Sequence, residues 1–131
     1  MRKDLVIKPD FSKGTAQTVV VGLSCRNLKG FIFMWTQIIG FILYTKNAEG
    51  CLESIPGICS PFKVVLLSYW ETPEHVTHFL RSKAHVAWMQ FLYANEDSVN
   101  LFNEVYGAPL RGTYINQAAG YAAIMAGGPH K

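Results

Sequence analysis

Residues 63–80 read KVVLLSYWETPEHVTHFL, and this stretch decides the fold class. Its first eight residues are mostly β-branched, aliphatic or aromatic, which predicts a strand. Thr72 followed by Pro73 is typical of a helix N-cap with proline at the first helical position. A strand that leads directly into a capped helix indicates a domain in which helices pack on a sheet.

On the N-terminal side of this stretch, residues 31–45 read FIFMWTQIIGFILYT and predict an apolar helix. A broad stripe follows the i, i+3, i+4, i+7 spacing of one helical face: Leu28, Phe31, Ile32, Trp35, Ile38, Ile39, Ile42 and Leu43. Phe33, Phe41 and Tyr44 occupy the other side, so we expect the core or a second subunit to cover both sides. The run is shorter than the about 20 apolar residues of a membrane span, which disfavours a membrane role.

The remaining pattern alternates strands and helices in the order β-α-β-β-α-β-β. Beyond the stretches above, the predicted elements are a strand at 15–24, a short strand around 51–55 in the loop-rich stretch 47–62, one helix from 73 to about 93, and strands at 99–106 and 114–125. This order is typical of the ferredoxin-like α+β fold. We predict a single domain over residues 1–131, with an ordered core at about 10–126 and frayed termini. The sheet face without helices needs cover, which a second copy in a homodimer would supply.

Composition excludes several classes of function. A hydrophobic fraction of 50% with 16% charged residues excludes intrinsic disorder. The net charge of +3 comes without a basic stripe, so no nucleic-acid partner is expected. Cys25, Cys51 and Cys59 form no CxxC pair, which predicts reduced thiols. Residues 1–13 contain no apolar signal-peptide core, and we therefore expect a cytoplasmic protein.

Three histidines lie in the second predicted helix. In one continuous helix, His78 and His85 lie within about 20° of each other, and His75 lies farther toward solvent. No third ligand with a fixed spacing supports a metal site. Two interpretations remain open, namely hydrogen-bonding histidines at the edge of the core and a polar His85 that faces a pocket.

The strand around Glu104 alternates, which places Phe102, Glu104 and Tyr106 on one face and Leu101 and Val105 on the other. A carboxyl group between aromatic rings would have a raised pKa and could act as a base near neutral pH. The alternative is a Glu104 that pairs with Arg111 or Lys63, or faces solvent. Leu101 and Val105 fit the helix-packed side, so Glu104 should point to a cavity on the second sheet face, and one of Tyr69 and Trp70 should face that same cavity.

Four short segments carry a family resemblance: Tyr69-Trp70-Glu71 at a strand end, Ser82, His85 and Trp88 on a helix, Asn103-Glu104-Val105-Tyr106, and Gly112-Thr113-Tyr114. Over roughly residues 10–126, the chain resembles small dimeric α+β-barrel proteins of the antibiotic-biosynthesis monooxygenase type, in a fungal and bacterial branch of largely unknown function. That branch usually reads His-Glu-Thr-Tyr at 103–106. It often has an acid where this chain has Ile115.

The resemblance implies a homodimer with an apolar pocket in each subunit and no metal, haem or flavin. It implies a cofactor-independent, monooxygenase-like enzyme of specialised metabolism that acts on a hydrophobic cyclic substrate of the polyketide or terpenoid type. An isomerase or cyclase that uses acid–base chemistry in the same pocket is the first alternative, and a non-catalytic carrier of an apolar metabolite is the second.

Residue roles follow from the same hypothesis. Glu104 would be the base, with His85 and Tyr106 as proton donors or orienting groups. The expected substrate-binding residues are Tyr69, Trp88, Trp35, Phe102, Asn103 and His78. No cofactor-binding or metal-binding residue is predicted.

Overall fold

The structure is a computed structural model that describes Val6–Ile7, Asp10 and residues 14–125. In chain order, the elements are β1 Val6–Ile7, β2 Gln17–Cys25, α1 Leu28–Lys46, β3 Cys51–Ser60, β4 Lys63–Trp70, α2 Pro73–Leu80, α3 Lys83–Ala94, β5 Val99–Tyr106, β6 Tyr114–Ile115 and α4 Gly120–Met125. The predicted termini beyond these residues lie outside the described part of the chain.

The main sheet has four antiparallel strands in the order β3-β4-β2-β5, and β1 pairs separately with β6. The ferredoxin-like α+β class is therefore confirmed. Helices α1, α2 and α3 cover one face, where Val19, Trp70 and Phe79 form part of the core. On the opposite face, which we call the open face, α4 covers one end by packing Tyr121 against Tyr69.

Helix α1 was predicted with nearly correct bounds, and of its two apolar sides the one with Phe33 and Phe41 faces the sheet within the chain. The helix buries Gly30, Met34 and Thr45, while Leu28 and Ile39 on the predicted stripe are 72% and 68% exposed. Gly30 sets this orientation, because a Cβ there would lie 1.9 Å from the carbonyl oxygen of Ser98. Glycine has no Cβ, so the helix can approach that backbone closely at this position.

The exposed stripe gives α1 an apolar outer side. By length and mean hydropathy, 1.3 over 18 residues, the helix could cross a membrane, and 17% of that window is buried in the protein. Core helices pass the same test, and the inner side of α1 packs on the sheet through Met34. The helix alone therefore does not indicate a membrane span.

Strand β3 is longer than the predicted strand at 51–55, because Pro56 and Gly57 lie inside it rather than in a loop. β3 is an edge strand that pairs only with β4, with register shifts at Cys51/Glu53 and Ile58/Ser60. An edge strand tolerates proline because its outer N–H groups need no partner in the sheet.

The predicted helix from 73 to about 93 is two helices, broken at Arg81 and Ser82. Thr72 caps α2 as predicted, and the Ser82 hydroxyl caps α3 by accepting a hydrogen bond from the His85 backbone N–H at 3.3 Å. The break changes the helical phase, so His78 and His85 do not share a face.

The predicted strand at 114–125 is also wrong beyond its first two residues. After Tyr114–Ile115 the chain turns through Asn116 and Gly120, whose φ angles are 77° and 56°, into the short helix α4. Positive φ angles cannot be continued in a strand.

Candidate functional site

A cavity of about 470 Å³ lies between the helical layer and the sheet. Its floor comes from alternate residues of β2, β4 and β5, which the pleat directs toward the helices. These floor residues are Val19, Val21, Leu66, Ser68, Trp70, Leu101 and Asn103. Residues of α1, α2 and α3 form the walls, so every helix of this layer contributes to the cavity.

A narrow apolar extension of about 60 Å³ continues the cavity beneath α1. The two spaces share wall residues: Val21, Phe41, Leu66, Trp88, Leu92 and Leu101. Farther in, Leu23, Met34 and Val64 surround the extension, and Gln37 is its only polar lining residue in the described chain. The cavity is therefore strongly apolar at this end.

Aromatic rings hold the helices around the cavity. The Trp88 ring packs edge-on against Phe41 and Tyr44, with centroids 4.6 and 5.7 Å apart. Phe79 lies 4.9 Å from the Trp70 ring and 5.5 Å from the His85 ring. Such contacts fix the ring orientations and give the cavity flat apolar walls.

Among the described residues that line the cavity, His85 is the histidine. Its ring is half-buried in the first turn of α3, and Nδ1 is enclosed without a hydrogen-bond partner in the described chain. Burial lowers the pKa of His85, while the backbone carbonyl of Leu80 acts in the opposite direction. The neutral imidazole is therefore favoured at pH 7 and can accept a proton.

Two buried aliphatic hydroxyl groups also line the cavity, on Thr45 and Ser68, which are each 2% exposed. Thr45 Oγ1 has no hydrogen-bond partner within the described residues. Ser68 Oγ accepts a 2.8 Å hydrogen bond from Trp70 Nε1. The sequence interpretation missed both hydroxyl groups.

The structure brings together three of the nine predicted site residues, since His85, Trp88 and Asn103 line the cavity. Phe102, Glu104 and Tyr106 lie on the open face, as the alternation predicted, with the sheet between them and the cavity. A hydrogen bond to Glu104, ahead of small burial and charge effects, raises the pKa of Tyr106. The proposed catalytic trio of Glu104, His85 and Tyr106 is thus divided between two faces.

Tyr69, Trp35 and His78 lie outside the cavity as well. Tyr69 points to the open face, where burial raises its pKa, followed in effect by Glu53 and Tyr114. As predicted for one member of the Tyr69–Trp70 pair, Tyr69 shares the sheet face of Glu104, whereas Trp70 lines the cavity beneath the helices. Trp35 Nε1 instead donates to the Pro61 carbonyl at 2.8 Å, and His78 lines an outer groove beside α1.

Part of the missed site was recoverable from the sequence. The alternation of residues 63–70 places Ser68 beside Trp70 on the helix-facing side, so these two could have been assigned to the cavity. Thr45 could not, because its assignment depends on which side of α1 faces the sheet.

No group of three or more His, Cys, Asp or Glu side chains within the described residues could hold a metal ion. Cys25 and Cys59 are free thiols, and Cys51 is buried.

Residues 23–119 match the family described as monooxygenase af470-like, which is well over half of the chain. The chain belongs to the monooxygenase af470-like family. Membership in this family gives a small-molecule enzyme as its coarse functional class. No curated protein gives a significant match to the chain.

Solved structures share the fold of this family member at low sequence identity. A protein from Deinococcus radiodurans, provisionally named an antibiotic biosynthesis monooxygenase, is 14% identical with a TM-score of 0.60, and the match covers 78% of this chain and 99% of that one. SnoaB, a cofactor-independent oxygenase from Streptomyces nogalater, is 11% identical with a TM-score of 0.52, and the match covers 72% and 94%. Identities this low show the fold alone.

Proposed function

We propose that the protein is a cofactor-independent, monooxygenase-like enzyme of specialised metabolism that oxidises a hydrophobic cyclic substrate in the cavity of His85. The observation that carries this proposal is one half-buried imidazole at the wall of a largely apolar space of about 470 Å³. Cavities of this size suit small organic ligands, and a few polar groups orient them. The family and the oxygenase SnoaB, which shares the fold, support the same class of chemistry.

His85 would remove a proton from an acidic C–H or phenolic O–H group of the substrate. The resulting carbanion transfers electrons to molecular oxygen, and a carbon–oxygen bond forms as a hydroperoxide once a proton returns from His85. Loss of water then leaves a carbonyl group, so a CH₂ group and O₂ become C=O and H₂O. One oxygen atom enters the product, the other leaves as water, and the substrate supplies all the electrons.

The apolar walls assist this chemistry in two ways. Trp88 and Phe41 offer flat surfaces on which a ring system can pack. Exclusion of water strengthens the electrostatic interactions of the imidazole with a developing anion. An apolar cavity with one base therefore suits the oxidation of electron-rich rings.

The active form would be a homodimer joined through the open face. Phe102 and Tyr106 expose 41% and 51% of their surfaces there, and the whole of β5 after Val99 is exposed. Exposed aromatic surface of this kind favours an interface with another protein. Glu104, which sequence analysis predicts to be the base, would then lie at the dimer interface.

The proposal is tested with anthrone, a three-ring ketone whose CH₂ group is acidic, in an oxygen-electrode assay with ¹⁸O₂. We expect oxygen uptake equimolar with formation of anthraquinone that carries one labelled atom. His85→Gln should lower kcat by about 10²–10⁴-fold, the usual effect of removing a general base, and by at least tenfold more than Glu104→Gln. His75→Gln is the matched control, since His75 lies on α2 outside the cavity and should retain the activity.

Other outcomes would overturn the proposal. Rearrangement of enolisable ketones under argon, without oxygen uptake, would indicate an isomerase or cyclase. Tight binding of hydrophobic rings without any conversion would indicate a carrier. A larger loss in Glu104→Gln than in His85→Gln would assign the base to the open face instead.

A further inference from the structure

Thr45 differs from Thr36 and Thr77, the other threonines within described helices, because its hydroxyl group makes no hydrogen bond in the described chain. Thr36 Oγ1 donates to the Ile32 carbonyl at 2.7 Å, and Thr77 Oγ1 donates to the Pro73 carbonyl at 3.2 Å. This i−4 bond is the ordinary way to satisfy a threonine within a helix. Thr45 does not make it, although it is almost completely buried, and its Oγ1 has no partner in the described chain.

Ser68 presents a second hydroxyl with unused capacity. Its oxygen accepts the hydrogen bond from Trp70 Nε1, which leaves the Ser68 O–H free to donate. No acceptor for that O–H is found among the described residues, and the side chain is buried at the cavity floor. Buried hydroxyl groups normally have a partner, so two underused donors in one cavity require an explanation.

Thr45 and Ser68 line the part of the cavity that includes His85, and neither lines the apolar extension. Phe79 joins these elements, since its ring packs against Trp70, against His85 and against Tyr44, the neighbour of Thr45. The other end, beneath α1, is lined by aliphatic and aromatic residues with Gln37 as the polar exception. The cavity is thus polar at one end and apolar at the other.

We propose that Thr45 and Ser68 donate hydrogen bonds to the oxygen atom of an enolisable ketone or a phenol, whose apolar ring fills the rest of the cavity. Hydroxyl donors fixed in a water-poor site stabilise negative charge as it develops on that oxygen. The substrate class is therefore an apolar ring system with an oxygen function at one end. As a step in catalysis this inference rests on the proposed function, but the recognition of the oxygen atom is testable by binding alone.

The test compares 1-tetralone with tetralin, which has the same two-ring skeleton without the carbonyl oxygen. Equilibrium dialysis with chromatographic quantification measures both affinities without any reaction. We expect wild-type protein to prefer 1-tetralone by about tenfold, as one or two net hydrogen bonds would give. Thr45→Val should reduce this preference to about twofold and leave the tetralin affinity unchanged.

Two further variants separate recognition from structural effects. Thr45→Ser keeps the hydroxyl and should keep the preference, whereas Thr36→Val removes a hydroxyl that faces away from the cavity and should change neither affinity. Thr45→Val should also melt a few degrees higher without ligand, because it removes an unpaired buried polar atom. Ser68→Ala should lower the preference too.

Equal affinity of wild-type protein for both probes, or an undiminished preference in Thr45→Val, would overturn the inference. A lower melting temperature for ligand-free Thr45→Val would show that the hydroxyl has a structural partner, and would also overturn it. If anthrone is not oxidised but the 1-tetralone preference depends on Thr45, the proposed function fails and the recognition site stands. If anthrone is oxidised but the preference is absent, the reverse holds.

Discussion

His85 owes its environment to a single neighbouring residue. Because Ser82 caps α3, the chain breaks two residues after Leu80, and His85 falls in the first turn of a new helix with its ring against Phe79. In an unbroken helix the ring would have a different direction. A cap that costs about 1 kcal/mol to lose thus positions the one cavity group that titrates near neutral pH in the described chain.

The lowered pKa of His85 predicts a pH dependence of stability. Folded protein binds the His85 proton less readily than unfolded protein, whose pKa is near the ordinary 6.5. The unfolded state therefore binds more protons between the folded pKa and 6.5, and this contribution to stability falls as the pH drops through that window. Above about pH 7 the contribution is constant.

Melting temperatures of wild-type protein and His85→Gln, measured from pH 7.5 to pH 5, test this dependence. We expect the wild type to lose more stability than the variant as the pH falls below about 6.5. Parallel curves would show that His85 is as easily protonated in the folded as in the unfolded protein.

Helix α1 has one glycine on the side that packs in the protein, Gly30, and another on its exposed side, Gly40. Gly30 packs against the turn before β5, where a Cβ would contact the Ser98 carbonyl oxygen, while a Cβ at Gly40 would meet no atom of the described chain within 4 Å. The first glycine allows close packing, and the second adds flexibility to an exposed helical surface. One helix therefore contains an essential and a dispensable glycine.

Alanine substitutions at these positions should have opposite effects. Gly30→Ala should destabilise the protein by about 1–3 kcal/mol or more, because the clash involves backbone that cannot move aside easily. Gly40→Ala should stabilise it by about 0.5–1 kcal/mol through helix propensity. Urea unfolding at one fixed protein concentration measures both, since an oligomer's stability depends on concentration. Equal effects of the two changes would contradict the packing of α1 on the sheet.

At the scale of the whole molecule, two apolar surfaces remain uncovered in the single chain. The open face exposes Phe102 and Tyr106, and the outer side of α1 exposes Leu28 and Ile39. Of these two surfaces of the described chain, the open face adjoins the buried core cluster of Tyr69 and Tyr121. A second copy packed there would extend an existing core, which is the reason to place the dimer interface on this face.

A pair of charge substitutions distinguishes the two surfaces. Phe102→Glu should convert a dimer into a monomer of 14.6 kDa in sedimentation experiments, because it buries an unpaired charge in the interface. Ile39→Glu, on the exposed side of α1, should leave the dimer intact. The opposite result would move the interface to α1, and a wild-type monomer at micromolar concentration would contradict the dimer itself.

The sequence alone determined the fold class and most strand positions, because these depend on local patterns. Residues 63–70 are rich in aliphatic and aromatic strand formers, Thr72-Pro73 begins a helix, and the face of β5 that carries Glu104 follows from the pleat. The helical character of residues 28–46 was equally visible. Each of these signals lies within about ten residues of chain.

Tertiary structure alone decided which surfaces meet, and therefore where the site lies. The contact between Gly30 and Ser98, which are far apart in sequence, determines which side of α1 faces the sheet. Hydrophobic periodicity does not predict that side, because this helix is apolar on all sides. That contact turns Thr45 toward the cavity and Ile39 toward solvent. The sheet lies between Glu104 on one face and the cavity with His85 on the other. The alternation of a strand predicts which residues share a face, but the packing of the helices determines which face holds the cavity.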